Sequence, residues 1–336
     1  EVLVVGAGPA GCAAAYALAA AGRSVVLADQ HDFPRDKVCG DALISDALTA
    51  LARLGLTEPI ARCAQGFDTF RISSSDRSCV DLAATTAVIP RRLLDDRLRN
   101  HAVGAGARFV SPWRLKAAIE DDGIVAGAQF RHAATGNETK IRASSAPLDL
   151  FGVARRKAPS GFALRGYYRA PEASRTDYSG PWVAFERSIA PGYGWIFPGP
   201  GGIFNVGVGG FLDGPRPPAG NVRVLWQRFL AEFPPAARLI AGAEALGSVQ
   251  GAPLRTGLMG ADFFRPGLLV IGEAAGATYG CSGEGIGKAL ETGLLAAETL
   301  LCHFEGRLTF AEVGSRFVAA LEARFRQRYR GYRIAQ

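Results

Sequence analysis

The segment VLVVGAGPAGCAAAYALAAAGRSVVLAD, residues 2–29, leaves the chain little choice of local fold. A short apolar run, Val2 to Val5, leads into a glycine turn and then an alanine-rich stretch from Gly11 to Ala21 that suits a helix. Gly22 stops that helix, and Ser24 to Ala28 forms a second apolar run ending at Asp29. Strand, helix and strand in this order make a βαβ unit, so a parallel sheet with right-handed crossovers is expected. Gly6, Gly8 and Gly11 fall as G-x-G-x-x-G. The first glycine permits the tight turn, the second lets a pyrophosphate approach the main chain, and the third lets helix and strand pack closely. Asp29 stands 23 residues after Gly6, where its carboxylate accepts from ribose hydroxyls.

A second glycine-rich stretch, GEAAGATYGCSGEGIGKALETG, begins at Gly272. Leu268 to Ile271 reads as a buried strand delivering it, and a helix opens near Ile286. Small residues at Ala274 to Gly276 let a ligand lie against the backbone, and a helix starting at Gly285 aims N–H groups at whatever precedes it. A dinucleotide with a long flexible middle, FAD, needs a cradle at each end, whereas NAD does not. Between the two glycine segments, Ser45 to Leu54 and Leu93 to Gly104 read as helices, the second with Leu94, Leu98 and Ala102 on one face. Arg108 to Val110 and Gly123 to Phe130 read as strands. From Gly161 to Val249 the alternating runs FALRGYYRA, WVAFER, YGWIFP and GIFNVGVGGF, broken by Pro and Gly, read as an antiparallel sheet interrupted by a helix over Asn221 to Phe233. Thr309 to Arg333 reads as a basic terminal helix. The expected fold class is therefore α/β: a Rossmann-like nucleotide-binding domain split in sequence (residues 1–62, 92–160 and 255–308), an inserted antiparallel-sheet substrate domain (63–91 and 161–254), and a C-terminal helix (309–336).

Composition narrows the function. The apolar runs are too short for the roughly 20 residues a membrane helix needs. The six cysteines form no C-x-x-C pair and no cluster with histidine, so reduced thiols, a cytoplasmic location and no metal site are expected. A net charge of +7 suits an anionic partner, but the arginines are dispersed and no nucleic-acid module is present. The chain starts inside a strand pattern, which points to a trimmed beginning.

Four segments carry a resemblance: VVGAGPAG, FPRDKVCGDAL (Phe33 to Leu43), GYGWIFP (Gly192 to Pro198) and the second glycine stretch; VIPRRLLDDRL (Val88 to Leu98) adds a weaker fifth. In them the chain resembles the geranylgeranyl-reductase-like family of FAD-dependent oxidoreductases, related to the p-hydroxybenzoate-hydroxylase fold and to flavin-dependent halogenases. The resemblance implies that Gly6, Gly8, Gly11 and Asp29, with Pro9, Ala10 and Gln30 beside them, hold the adenosine diphosphate. It implies Arg35 and Arg91 near ribose or phosphate, and Gly272, Glu273 and Ala274 near the ribityl and pyrophosphate, Glu273 replacing the family's usual Asp. Gly283, Glu284, Gly285 and Ile286, together with Cys39 and Gly40, would approach the flavin. The family's A-D-G motif, due just after the strand near Ile141, is missing; the chain there reads IRASSAPLDLFG, as though a loop were omitted. Halogenation is disfavoured, since Cys39-Gly40-Asp41 stands where halogenases typically carry G-E-S.

Cys39, Tyr193 and Trp195 are the candidate catalytic residues. Cys39 is read either as a proton donor or as a small residue packed beside Gly40, and Cys281 as structural. Tyr193, Trp195 and Phe197 alternate along a strand and share one face, as a pocket wall or as core. His31, His101, His132 and His303 are isolated, and Glu291 reads as a helix-surface residue. The expected chemistry is reduction of a C=C bond in a small apolar, isoprenoid-like substrate; the alternatives are hydroxylation of a small aromatic or secondary-metabolite substrate, and FAD binding without turnover. Without a second nucleotide fold, NAD(P)H or a reduced protein must donate electrons from outside. The tail ARFRQRYRGYRIAQ reads either as a solvated helix or as a peripheral contact with anionic lipid.

Overall fold

The computed structural model describes residues 1–142, 158–172, 177–212, 220–258, 262–280 and 282–335, with side chains through residue 331. The expected A-D-G position and Cys281 lie outside the described residues. The first half contains β1 (Val2–Val5), α1 (Pro9–Ala20), β2 (Val25–Ala28), β3 (Ala42–Leu43), α2 (Ser45–Arg53), α3 (Thr57–Ala61), β4 (Gln65–Ser74), β5 (Cys79–Val88), α4 (Arg91–Gly104), β6 (Arg108–Val110), β7 (Trp113–Asp121), β8 (Ile124–His132) and β9 (Glu138–Arg142). The second half contains β10 (Gly161–Arg169), β11 (Trp182–Phe185), β12 (Gly192–Pro198), β13 (Ile203–Phe211), α5 (Val222–Glu232), α6 (Pro234–Ala241), β14 (Glu244–Ala245), β15 (Gln250–Leu254), β16 (Phe264–Arg265), β17 (Leu268–Leu269), α7 (Ile286–Phe304) and α8 (Phe310–Ala335).

β1, β2 and β6 form a parallel sheet, Val2 opposite Val25 and Val26 opposite Arg108. Successive side chains point to opposite faces, so each short apolar strand supplies two cores. Val2, Val4, Val25 and Leu27 pack under α1, α2, α4 and α7. Leu3, Val26 and Ala28 pack on Val125, Ala128 and Phe130 of the β7–β8–β9 sheet and on Leu268 and Val270. The N-terminal and C-terminal portions of the chain meet at the α1–α7 crossing. There a Cβ on Gly293 would sit 2.1 Å from the Ala10 carbonyl oxygen, so no other residue allows this approach.

The second unit is a nine-stranded sheet ordered β14-β10-β13-β12-β11-β4-β5-β3, with β15 also on β10. Its pairs are antiparallel except β11 with β4. Leu225 and Phe229 of α5, Leu239 of α6 and Phe233 between the two helices cover one face, where Gly194 leaves space for the Phe229 ring. The other face carries Val88, Val183, Trp195 and Phe197 and looks toward the parallel sheet. β3, within the first expected cofactor segment, instead hydrogen-bonds into this large sheet through Val88 and Ala87, so FPRDKVCGDAL runs from one sheet to the other.

Two readings are corrected. The expected strand over Leu268 to Ile271 is only two residues long and pairs antiparallel with Phe264–Arg265, because Pro266 and Gly267 fold it into a hairpin. Glu291 is buried at 8% exposure and receives two hydrogen bonds from Arg328 Nη1, at 3.0 and 3.1 Å. α8 turns Phe317, Leu321, Phe325 and Tyr329 inward at four-residue spacing, so Phe325 and Tyr329 of the tail serve the core. Among the described residues no helix is long and apolar enough to cross a membrane.

Candidate active site

The two glycine segments line one cavity of about 1290 Å³, together with the inner face of the large sheet. Every residue named above as a cofactor or catalytic candidate lines it except Gln30. Gln30 is exposed and accepts from Arg114 Nε at 3.3 Å, outside the cavity.

At the first turn a Cβ on Gly11 would lie 1.9 Å from the Gly6 carbonyl oxygen, and Gly6 has φ +94°, so both positions require glycine. A Cβ on Gly8 would meet only Arg35, at 3.9 Å, leaving the main chain there open to the cavity. α1 starts without a side-chain cap and without an acid in its first turn; α7, capped by Gly285, starts the same way. Two helix N-termini without side-chain caps, facing one cavity, favour negative ligand groups. Asp29 closes the first turn by accepting from Ala7 N at 2.8 Å and His31 N at 2.9 Å. A ligand with a phosphate-bearing half and a second polar half fits this cradle, and FAD is such a ligand.

Arg35 and Arg91 share a partner that the sequence reading overlooked. Asp95 is fully buried and accepts from Arg91 Nε and Nη2, both at 2.8 Å, and from Arg35 Nη1 at 2.8 Å. The Arg91–Asp95 spacing of four on a helix was its available signal. Glu273 is in contact with Lys37, a second overlooked residue, so the longer acid reaches across the cavity mouth to a cation.

On the sheet wall Tyr193 OH donates to the Ser282 carbonyl, tying β12 to the second glycine turn. Trp195 Nε1 donates to Asn205 Oδ1 at 2.9 Å, and Asn205 Nδ2 donates to the Cys39 carbonyl at 2.7 Å and to Asp41 Oδ2 at 2.8 Å. Phe197 packs on Gly40, where a Cβ would approach its ring to 3.1 Å. Burial pushes the Cys39 thiol up despite the opposing Arg91 guanidinium, so it stays protonated at neutral pH. None of the four histidines lines the cavity; His101, for example, stacks on Tyr16.

Asp41, also overlooked, is 1% exposed and sits at φ +68°. It accepts from Tyr167 OH at 2.5 Å as well as from Asn205. Burial nevertheless raises its pKa from 3.8 to about 6. The folded state therefore holds this proton more tightly than the unfolded state. The stability it contributes is full below pH 3.8 and is lost as pH rises through about 6. At 1.36 kcal/mol per pKa unit the loss is about 3 kcal/mol. Urea unfolding of wild type and Asp41→Asn across this range is expected to show the variant lacking that decline.

A family profile described as an FAD binding domain matches residues 1–144. The chain is 34% identical over 334 residues to a menaquinone reductase of Mycolicibacterium smegmatis, covering 89% of this chain and 76% of that protein. It is 27% identical to digeranylgeranylglycerophospholipid reductase 1 of Methanopyrus kandleri, covering 98% of this chain and 88% of that one. A geranylgeranyl bacteriochlorophyll reductase-like structure from Thermoplasma acidophilum superimposes with a TM-score of 0.81 at 20% identity, over 100% of this chain and 86% of that one. A myxobacterial chondrochloren halogenase structure does so with 0.78 at 19%, over 100% and 81%. At those identities the two structures speak to the fold alone.

Proposed function

The chain belongs to the geranylgeranyl-reductase-like family of FAD-dependent oxidoreductases, and from that premise we propose that it reduces C=C bonds of a long apolar, isoprenoid-like lipid. The observation that carries this reading is the apolar wall of the cavity. Besides the glycine turns, Phe70, Ile72, Leu82, Val183, Phe185 and Phe211 line it. Leu82 and Phe185 are 44% and 45% exposed, and Val80, cross-strand from Ile72, is 57% exposed. An apolar trough that continues to the outside suits a chain longer than the cavity. The relatives named for menaquinone and digeranylgeranylglycerophospholipid point to the same substrate class.

When bound and reduced, FAD supplies the hydride equivalent for such a reaction. The chain's own part is binding, orientation and proton supply. Arg35 and Arg91, fixed by Asp95, would hold the phosphates, and the α7 N-terminus would stabilise negative charge at the flavin end. Tyr193, Trp195 and Phe197 form the wall that excludes water beside the reacting carbons. Cys39 Sγ holds a proton at that wall, with Asp41 N donating to it at 3.3 Å. Electrons arrive from an external donor, NAD(P)H or a reduced protein.

Anaerobic incubation of the flavin-loaded protein, chemically reduced, with isoprenoid lipids is expected to yield the saturated product. A requirement for oxygen, or a hydroxylated product, would refute the reading. Phe185→Asp and Leu82→Asp are each expected to raise KM for a long-chain substrate about tenfold, the worth of a modest loss of apolar contact, while leaving a short-chain analogue unaffected.

A further inference from the structure

Lys288 of α7 is 0% exposed and has an acid on each side. Its Nζ is in contact with Asp46 Oδ2, lies 3.9 Å from Glu284 Oε2 and stands 3.9 Å over the Tyr279 ring. Glu284 lines the large cavity, but Asp46 does not; it lines a side pocket of about 510 Å³ that adjoins the cavity across Ile44 and Ser45. That pocket lies among α2, α7 and α8, and its rim residues Arg53 and Arg328 are 41% and 45% exposed. Asp46 reaches the lysine because Gly287 has no side chain; a Cβ there would fall 2.6 Å from Asp46 Oδ1. Glu284 Oε2 and Asp46 Oδ1 are buried without a hydrogen-bond partner among the described residues.

We propose that Glu284, Lys288 and Asp46 form a proton relay that connects the side pocket to the cofactor cavity. Reduction of a C=C bond adds two electrons and one hydrogen as a hydride equivalent from reduced FAD, itself reduced by NAD(P)H or a reduced protein. It also consumes one proton at the second carbon, and an apolar substrate filling the trough closes the direct route for water. The relay resupplies that proton. Glu284 releases its proton into the cavity, the Lys288 ammonium reprotonates the Glu284 carboxylate, and Asp46 passes a proton taken from side-pocket water to the neutral amine. No electrons move along this path.

The surroundings suit such exchange. Burial raises Glu284 to about 7 and lowers Lys288 to about 7, so either can hold or release a proton near neutrality. Lys288 is also faced by Glu291 on its own helix, which favours its charge, and by Arg328 of α8, which opposes it. Arg324 of α8 lines the side pocket beside them.

This inference rests on the reductase reading for its purpose but not for its test. Infrared difference spectra of the flavin-free protein, titrated across neutral pH, should show a carboxylic C=O band that is absent in Glu284→Gln. Its midpoint should move upward in Lys288→Met, which removes a neighbouring cation. An unchanged midpoint in Lys288→Met would overturn the relay, whether or not the protein reduces alkenes. In turnover, Lys288→Met and Asp46→Asn are expected to keep FAD binding and KM while kcat falls about 10²-fold, most steeply above neutral pH. Asp46→Asn, which keeps an oxygen acceptor beside the buried lysine, guards against a folding defect there. A kcat–pH profile unaltered in both variants would likewise overturn it. Wild-type protein that titrates as described but reduces no alkene would instead count against the proposed function.

Discussion

Replacing Asp95 by alanine is expected to destabilise the protein by about 3–5 kcal/mol, the usual cost of stripping one partner from a buried ion pair. Asp95 is fully buried and is the shared acceptor for Arg91 and Arg35. Arg91 is 5% exposed, so in the variant its guanidinium is left in a dry site with its bidentate acceptor gone. The same change frees Arg35 to swing toward Asp29, whose Oδ2 already lies 3.9 Å from its Nη2. Both arginines then lose the orientation proposed for phosphate contact. Chemical unfolding should show the loss in stability, and FAD affinity should fall with it. Asp95→Asn, which retains an acceptor oxygen, is expected to lose less on both counts.

Gly11→Val carries the other large effect. Its Cβ would fall 1.9 Å from the Gly6 carbonyl oxygen and 3.3 Å from Val4 Cγ1, and both neighbours belong to the strand and turn that define the cradle. Either the turn opens or α1 withdraws from β1. Overpacking of this kind costs roughly 1–3 kcal/mol or more. The geometry of the helix N-terminus is lost in both cases, so purified Gly11→Val is expected to be colourless and to bind FAD at least about 10²-fold more weakly, a change of about 2.7 kcal/mol. Gly8→Ala, whose Cβ would meet only the end of the Arg35 side chain at 3.9 Å, should fold normally and show a milder defect.

What could be read from the sequence was whatever its neighbours in the chain determine. The βαβ unit around Gly6 to Asp29 is local, and so is the helix that opens at Ile286. The shared face of Tyr193, Trp195 and Phe197 follows from strand alternation alone. The β4–β5 hairpin was passed over because its strands are half-exposed and carry Asp68, Thr69, Asp81 and Thr85 among their apolar residues, which blurs the period of two. Buried charge was the larger blind spot. Asp41, Asp95, Lys288 and Glu291 each look like surface residues in their own segments, and what buries them comes from elsewhere: Tyr167 and Asn205 for Asp41, Arg35 for Asp95, Asp46 for Lys288, Arg328 for Glu291. Gln30 shows the opposite pattern. It adjoins Asp29 in sequence, yet its side chain is exposed and accepts from Arg114 rather than lining the cavity.

The central claim is that one FAD is held at both ends by turns from opposite parts of the chain. Titrating FAD into flavin-free protein, followed by flavin absorbance and fluorescence, tests it most directly when wild type is compared with Gly283→Val. Gly283 has φ +66° and lies 3.0 Å, at its would-be Cβ, from Tyr193 OH, far along the chain from the first turn. Saturable binding of one FAD per chain, weakened strongly by Gly283→Val and by Gly11→Val alike, is the predicted result. Absence of binding to wild type, or full affinity retained when the second turn is altered, would contradict it.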